Sequence, residues 1–173
     1  WYTQNKKNLR KDIRIVSLNF LQSEFYRNQL ISEGYKMPNL DLIDVNFFSE
    51  FCEINASKNI VVSLTTPREY FKMNSKRFFV TGIVMSYSEE GKFNFQENEK
   101  LWNSSLKKYL VDNALNEKGK RLSSNYLPML LQMRKVYNSL NDHKTVAELD
   151  LTIDKISVQS GNYEKVQKLK VSY

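Results

Sequence analysis

Three short runs rich in β-branched and aromatic residues, separated by stretches at helical spacing, limit what this chain can build. "DIRIVSLNF" (12–20), "NIVVSL" (59–64) and "RFFVTGIVMSYS" (77–88) read as strands. Between the first two, "QSEFYRNQLISEG" (22–34) places Phe25, Tyr26, Gln29 and Leu30 on helical steps and ends on Gly34, a residue suited to a helix C-terminus. "MPNLDLIDVNFFSEFCEI" reads as a second helix over 40–55, with Asn39 as its cap and Leu40, Ile43, Phe47, Phe51 and Ile54 as its buried stripe. "TTPREYFKM" is a turn or one short helix with Pro67 near its first position. Gly82, inside the third run, marks a bulge or a close backbone approach.

Strand, helix, helix, strand, short helix, strand is the order of parallel βαβ crossovers. The expectation is an α/β fold. A small, three-stranded, mainly parallel sheet with crossover helices occupies 1–90, and a C-terminal helical hairpin region packs on it over 91–173. Val16, Leu18, Phe47, Phe51, Val61, Val62, Val84 and Leu130 are its expected core.

Past "SEEGKFN" the pattern becomes helical. Residues 97–115 put Leu101, Trp102, Leu106, Tyr109 and Leu110 on one side, and residues 124–140 carry Leu127, Leu130, Leu131, Arg134 and Tyr137. Asp142 fits as the cap of a helix bearing Val146, Leu149, Ile153 and Ile156, and another helix starts near Asn162. "LNDHKTVAELDLTID" and "SGNYEKVQKLK" repeat a turn-then-helix beat about twenty residues apart, similar to a tetratricopeptide hairpin but without that repeat's full residue pattern.

The chemistry-bearing residues are sparse. The single histidine, His143, sits in a polar turn, which excludes a histidine-based triad or a multi-histidine metal site. Five scattered glycines make no phosphate loop, and the lone Cys52 reads as a small buried hydrophobe. Asp41/Asp44 and Glu50/Glu53 lie three apart on a helix face that reads as solvated. No cofactor and no metal are expected.

The longest apolar runs, Ile60–Leu64 and Phe78–Met85, fall far short of the roughly 20 residues that span a bilayer. The net charge is +7, but residues 37–57 hold acids and no base. Two places remain as a binding surface. One is the N-terminal stretch Trp1, Tyr2, Lys6, Lys7, Arg10 and Lys11, which suits a solvated turn or an edge near anionic headgroups better than a nucleic-acid groove. The other is Thr65, Thr66, Arg68 and Glu69, just past the second strand, where parallel sheets often bind ligands. Nucleic acid is not an expected partner.

"WYTQNKKNLRKDIRIVSLNFLQSEFYRNQL" resembles the start of the soluble C-terminal region, a domain of unknown function, in a family of polytopic bacterial membrane proteins. That family is related to protein O-mannosyltransferases and other polyprenyl-phosphosugar-dependent glycosyltransferases. Trp1, Tyr2 and Gln4 match its Trp-Tyr-x-Gln segment. Arg10, Asp12, Ile13, Val16 and Leu18 match its first strand, and Leu21, Phe25, Tyr26, Gln29 and Leu30 its first helix. "FFVTGIVMSYS" and "SSNYLPMLLQMRKVYNSLNDHKTVAELDL" follow in the family's order. Phe25 stands where the family prefers Trp, and "NIVVSL" lacks the usual Arg-Pro before its strand.

The resemblance implies a non-catalytic accessory domain on the periplasmic face of the inner membrane. Its partners would be the transmembrane part of the same, longer polypeptide and a peptide or protein acceptor. Two other classes stay open on the residues alone: an interaction module using a tetratricopeptide-like helical tail, and a self-contained small α/β enzyme or nucleic-acid binder.

Overall fold

The computed structural model describes residues 13–73, 75–89, 91–108 and 117–171, and the chain divides into two units, Trp1–Asn55 and Ala56–Tyr173.

In the first unit the described part of the run expected as the leading strand, residues 13–20, forms none. Residues 13–17 have no regular structure, and a 3-10 turn follows at Asn19–Gln22. No neighbouring strand of this unit offers a ladder among the described residues, so side chains of the following helix, α1 (Glu24–Ser32), take the segment instead. The Ser17 N–H donates to the Tyr26 hydroxyl at 3.2 Å, and the Arg14 guanidinium pairs with Glu33 at 2.6 Å. Ile13 and Ile15 face solvent at 51% and 45% exposure, while Val16 and Leu18 pack half-buried on the core. Gly34 then closes α1 at φ 81, a left-handed turn that glycine adopts freely.

Helix α2 runs Val45–Ile54, shorter than the expected 40–55. Its cap is Asp44, not Asn39. The Asp44 carboxylate accepts the Asn46 and Phe47 amides at 2.8 and 3.1 Å, satisfying two donors that the helix start leaves orphaned. Leu40 therefore lies outside the helix and is exposed. Leu21, Leu30, Phe47 and Phe51 make the core, with Tyr35 stacked on Phe51 at 6.1 Å between centroids. Asn55, buried at the end of α2, binds both the N–H and the C=O of Lys36 at 2.8 Å. It thereby ties the 34–37 turn to α2.

The second unit holds the sheet, and its topology corrects the parallel expectation. Strands β1 (Val61–Ser63), β2 (Phe78–Thr81) and β3 (Val84–Tyr87) lie in the order β1-β3-β2, with both pairings antiparallel. The run at 77–88 is two strands, not one. It folds back through the two-residue turn Gly82-Ile83, with Thr81 opposite Val84 and Gly82 at φ 61, the value a type II′ turn asks of its first central residue. Val62, Met85 and Val80 then share a register across one face. Of the expected core, Phe47, Phe51, Val62 and Leu130 are buried. Val61, on the edge strand, is 61% exposed, and Val16, Leu18 and Val84 are half-buried.

Around the sheet, β1 is followed by the single turn α3 (Glu69–Lys72), and β3 by α4 (Phe95–Leu101). Asn94 caps α4 by accepting the Glu97 amide at 3.0 Å. The helix continues as a π turn over Trp102–Leu106, where the Lys107 N–H reaches back to Trp102, and Trp102 is buried. Tyr109 and Leu110 lie outside the described residues. After α5 (Glu117–Ser123) come α6 (Leu127–Ser139), α7 (His143–Gln159) and α8 (Tyr163–Val171).

The two joints of these last helices are the same device. Asn141 and Gly161 adopt φ 58 and 69. The next amide, Asp142 or Asn162, bonds back to Tyr137 or Ser157 at 3.0 and 2.8 Å, the 6→1 bond of a Schellman turn. Asp142 then caps α7 through the Thr145 amide. Leu130, Met133, Leu149, Ile153, Ile156 and Val166 interlock along the three helices, and Val80 brings the sheet onto the same core.

Candidate functional site

The segment that leaves β1 is shaped by its own hydroxyls. Ser63 and Thr65 share a side-chain hydrogen bond at 2.7 Å, and the Thr66 amide bonds to the Ser63 carbonyl at 3.0 Å. Pro67 then presets the start of α3, and Phe71 meets Phe78 of β2 edge to face at 5.3 Å. Phe78 in turn meets Tyr87 in the same geometry. Phe71 and Phe78, but not Tyr87, line an open cleft of about 680 Å³ within the second unit. The volume falls within the range of small-molecule and peptide side-chain sites.

The floor is apolar, built from Phe71, Phe78, Leu127, Leu131, Val166 and Leu169. The rim is polar: Thr66 and Arg68 from the β1–α3 segment, Asn125 and Gln132 at and before α6, and Asn162 and Lys165 at α8. Among the described residues that line it there is no Asp, Glu, His or Cys. Arg68 and Lys165 are both exposed, and neither is paired with a carboxylate among the described residues. Glu69 and Glu164, their neighbours in sequence, do not line the cleft.

Of the residues singled out in sequence, Thr66 and Arg68 thus stand in the cleft, whereas Thr65 and Glu69 are exposed outside it. Trp1, Tyr2, Lys6, Lys7, Arg10 and Lys11 lie outside the described residues. The half of the rim supplied by α6 and α8 was missed. Leu127 and Leu131 carried a helical-core signal, but nothing in the spacing of Gln132 or Lys165 tells which loop they will face.

A polar network braces the helices behind the cleft. The Arg134 guanidinium forks onto Asp150 at 2.8 and 3.3 Å, and the Lys170 ammonium reaches Asp150 at 2.8 Å and Asp154 at 3.0 Å. Burial pushes the Asp150 carboxyl up, but the Arg134 and Lys170 hydrogen bonds outweigh it and hold the group below its ordinary value. Tyr137 donates to Glu99, and burial together with that carboxylate pushes its hydroxyl far up, so it stays protonated and is no base. Burial likewise pushes the Cys52 thiol up to about 12, which keeps it from acting as a nucleophile near neutral pH.

Among the described residues no three His, Cys, Asp or Glu side chains gather as metal ligands, and no helix is long and apolar enough to cross a membrane. The arrangement can hold a ligand by apolar contact and by hydrogen bonds or charge at its rim. The family model described as TMEM260-associated domain 2 matches residues 1–170. No curated protein and no solved structure matches the chain.

Proposed function

This chain belongs to the TMEM260-associated domain 2 family, and from that membership we propose that it is a non-catalytic accessory domain of a TMEM260-like membrane protein. The parent is read as a polyprenyl-phosphosugar-dependent glycosyltransferase akin to protein O-mannosyltransferases. The domain sits on the periplasmic face of the inner membrane, beside the transmembrane part of the same polypeptide, and handles the acceptor.

The observation that carries this reading is the cleft, a binding volume of about 680 Å³ whose described lining residues offer amides, hydroxyls and cations but no acid–base pair. Transfer from a lipid-linked sugar needs a general acid or base placed at the donor, and commonly a metal or cationic clamp on its phosphate. A domain that binds without reacting fits an acceptor-handling role. The purified chain, assayed with lipid-linked sugar donors and peptide acceptors, is expected to give no turnover above a heat-killed control. Deleting the domain from the full-length parent in membranes is expected to lower transfer to protein acceptors. Turnover by the isolated chain overturns the reading.

A second reading, a protein-interaction module built on the helical tail, is supported by the repeated Schellman joints at Asn141 and Gly161, which join α6, α7 and α8 by the same short turn. It predicts a protein partner that binds the chain without the membrane part, which pull-down with and without that part distinguishes.

A further inference from the structure

We propose that the cleft between the β1–α3 segment, α6 and α8 binds an acidic peptide segment, taking apolar side chains on its floor and carboxylates at Arg68 and Lys165. The inference rests on the acceptor-handling reading and names the chemistry of what is handled.

Three observations select this occupant. First, the floor is mostly aliphatic, so the ligand brings apolar side chains to it; a free oligosaccharide can lay the C–H face of a ring on Phe71 but turns its many hydroxyls toward Leu127, Leu131 and Leu169. Second, the ionic groups among the described lining residues are two cations, Arg68 and Lys165, with no carboxylate among them. A rim of that kind attracts an anionic ligand and repels a basic one. Third, the carboxamides of Asn125 and Gln132 line the cleft together with its apolar residues, and Asn162, whose amino group is held by Ser160, adds its side-chain carbonyl. A peptide backbone presents donors and acceptors at each residue to such groups, and a hydrocarbon tail presents none. An open trough of this size also suits one or two side chains rather than a long polyprenyl chain.

The test uses the full chain and fluorescence anisotropy at low salt, with fluorescein-labelled Gly-Asp-Phe-Asp-Leu-Asp-Gly as the probe. The expected result is saturable binding that weakens as salt rises. It is expected to weaken by at least about ten-fold when Arg68→Glu and Lys165→Glu are combined, or when the peptide aspartates become asparagines. Replacing the peptide Phe and Leu by Gly is expected to abolish binding. Both substituted residues are exposed, so circular dichroism and thermal midpoint are expected to match the parent chain.

Equal binding by the charge-reversed chain, equal binding of the neutral peptide, or no binding of the acidic peptide at millimolar concentration overturns the proposal. So does binding confined to phosphatidylglycerol vesicles, which assigns the rim to a membrane surface. If the peptide fails to bind while the isolated chain is inactive in sugar transfer, this inference falls and the accessory-domain reading stands. If the chain transfers sugar by itself, that reading falls whether or not the peptide binds.

Discussion

The Asn98 side chain accepts the Gly82 amide at 2.8 Å, so a helix residue holds the tip of the β2–β3 hairpin. Its amino group donates to the Val80 carbonyl at 3.0 Å and to Asn94 of its own helix at 2.8 Å. Every polar atom of a fully buried carboxamide is thereby used. Asn98→Ala strips the partner from the Gly82 amide and the Val80 carbonyl, and is expected to cost about 3 kcal/mol in urea unfolding. Gly82→Ala places a Cβ 3.3 Å from Leu106 Cδ1 at a left-handed φ, and is expected to cost about 1–2 kcal/mol. An Asn98→Ala loss below about 1 kcal/mol would mean that water replaces the side chain.

Two phenylalanines of the first unit separate burial from composition. Phe51, at 5% exposure, is stacked between Tyr35 and Phe47. Its truncation to Ala is expected to cost about 3–5 kcal/mol. Phe25, at 81% exposure, is expected to change stability by less than about 0.5 kcal/mol on the same substitution. Chemical denaturation of the two variants side by side checks both.

The Asp150 carboxyl sets a pH dependence whose sign follows from its partners. Its folded pKa is held below the unfolded value, so its contribution is fully present above about pH 4 and is lost as pH falls through the folded value. Asp44 and Asp142 are shifted in the same direction, chiefly by the Phe47 amide and the Thr145 hydroxyl. Asp150→Asn is expected to lie about 1–2 kcal/mol below the parent at pH 7, an amount reduced by partial solvent screening. The two stability curves should converge toward pH 2. Parallel curves would show that Arg134 and Lys170 do not hold the carboxylate in its charged form.

Cys52 offers a readout of opening around α2. The thiol is buried, with its titration pushed up to about 12. Iodoacetamide at pH 8 is expected to leave the native chain unmodified and to label it fully in denaturant. Rapid native labelling, followed by mass spectrometry, would show that the packing over this face of α2 opens readily.

The helical tail was legible because its signals are local. Leu149, Ile153 and Ile156 repeat at helical steps, and Asp142 caps the helix they lie on. The sheet was misread because pairing is not local. A β-branched run such as Ile13–Val16 looks like a strand wherever it occurs, yet it becomes one only if another strand presents a ladder, and here Tyr26 and Arg14 hold it by side chains. Gly82 was noticed, but a bulge and a hairpin tip ask the same permissive backbone of glycine. The cleft was half legible for the same reason. Thr66 and Arg68 were singled out as the end of a strand in a parallel sheet, a premise the antiparallel pairing removes, whereas Lys165 reaches the rim through packing of helices far along the chain.

The three-residue joints at Asn141 and Gly161 also bear on the order in which the second unit assembles. Contacts along α6, α7 and α8 close short loops, and such contacts form early because little chain entropy must be given up first. The β1–β3 pairing spans α3 and the β2 strand between its two members, so it closes a longer loop. The helices are therefore expected to collapse first and offer Leu127 and Leu131 as a surface, onto which the hairpin docks through Val80. In that sequence the cleft is the last feature to appear, since its two walls are brought together only when the slow partner arrives.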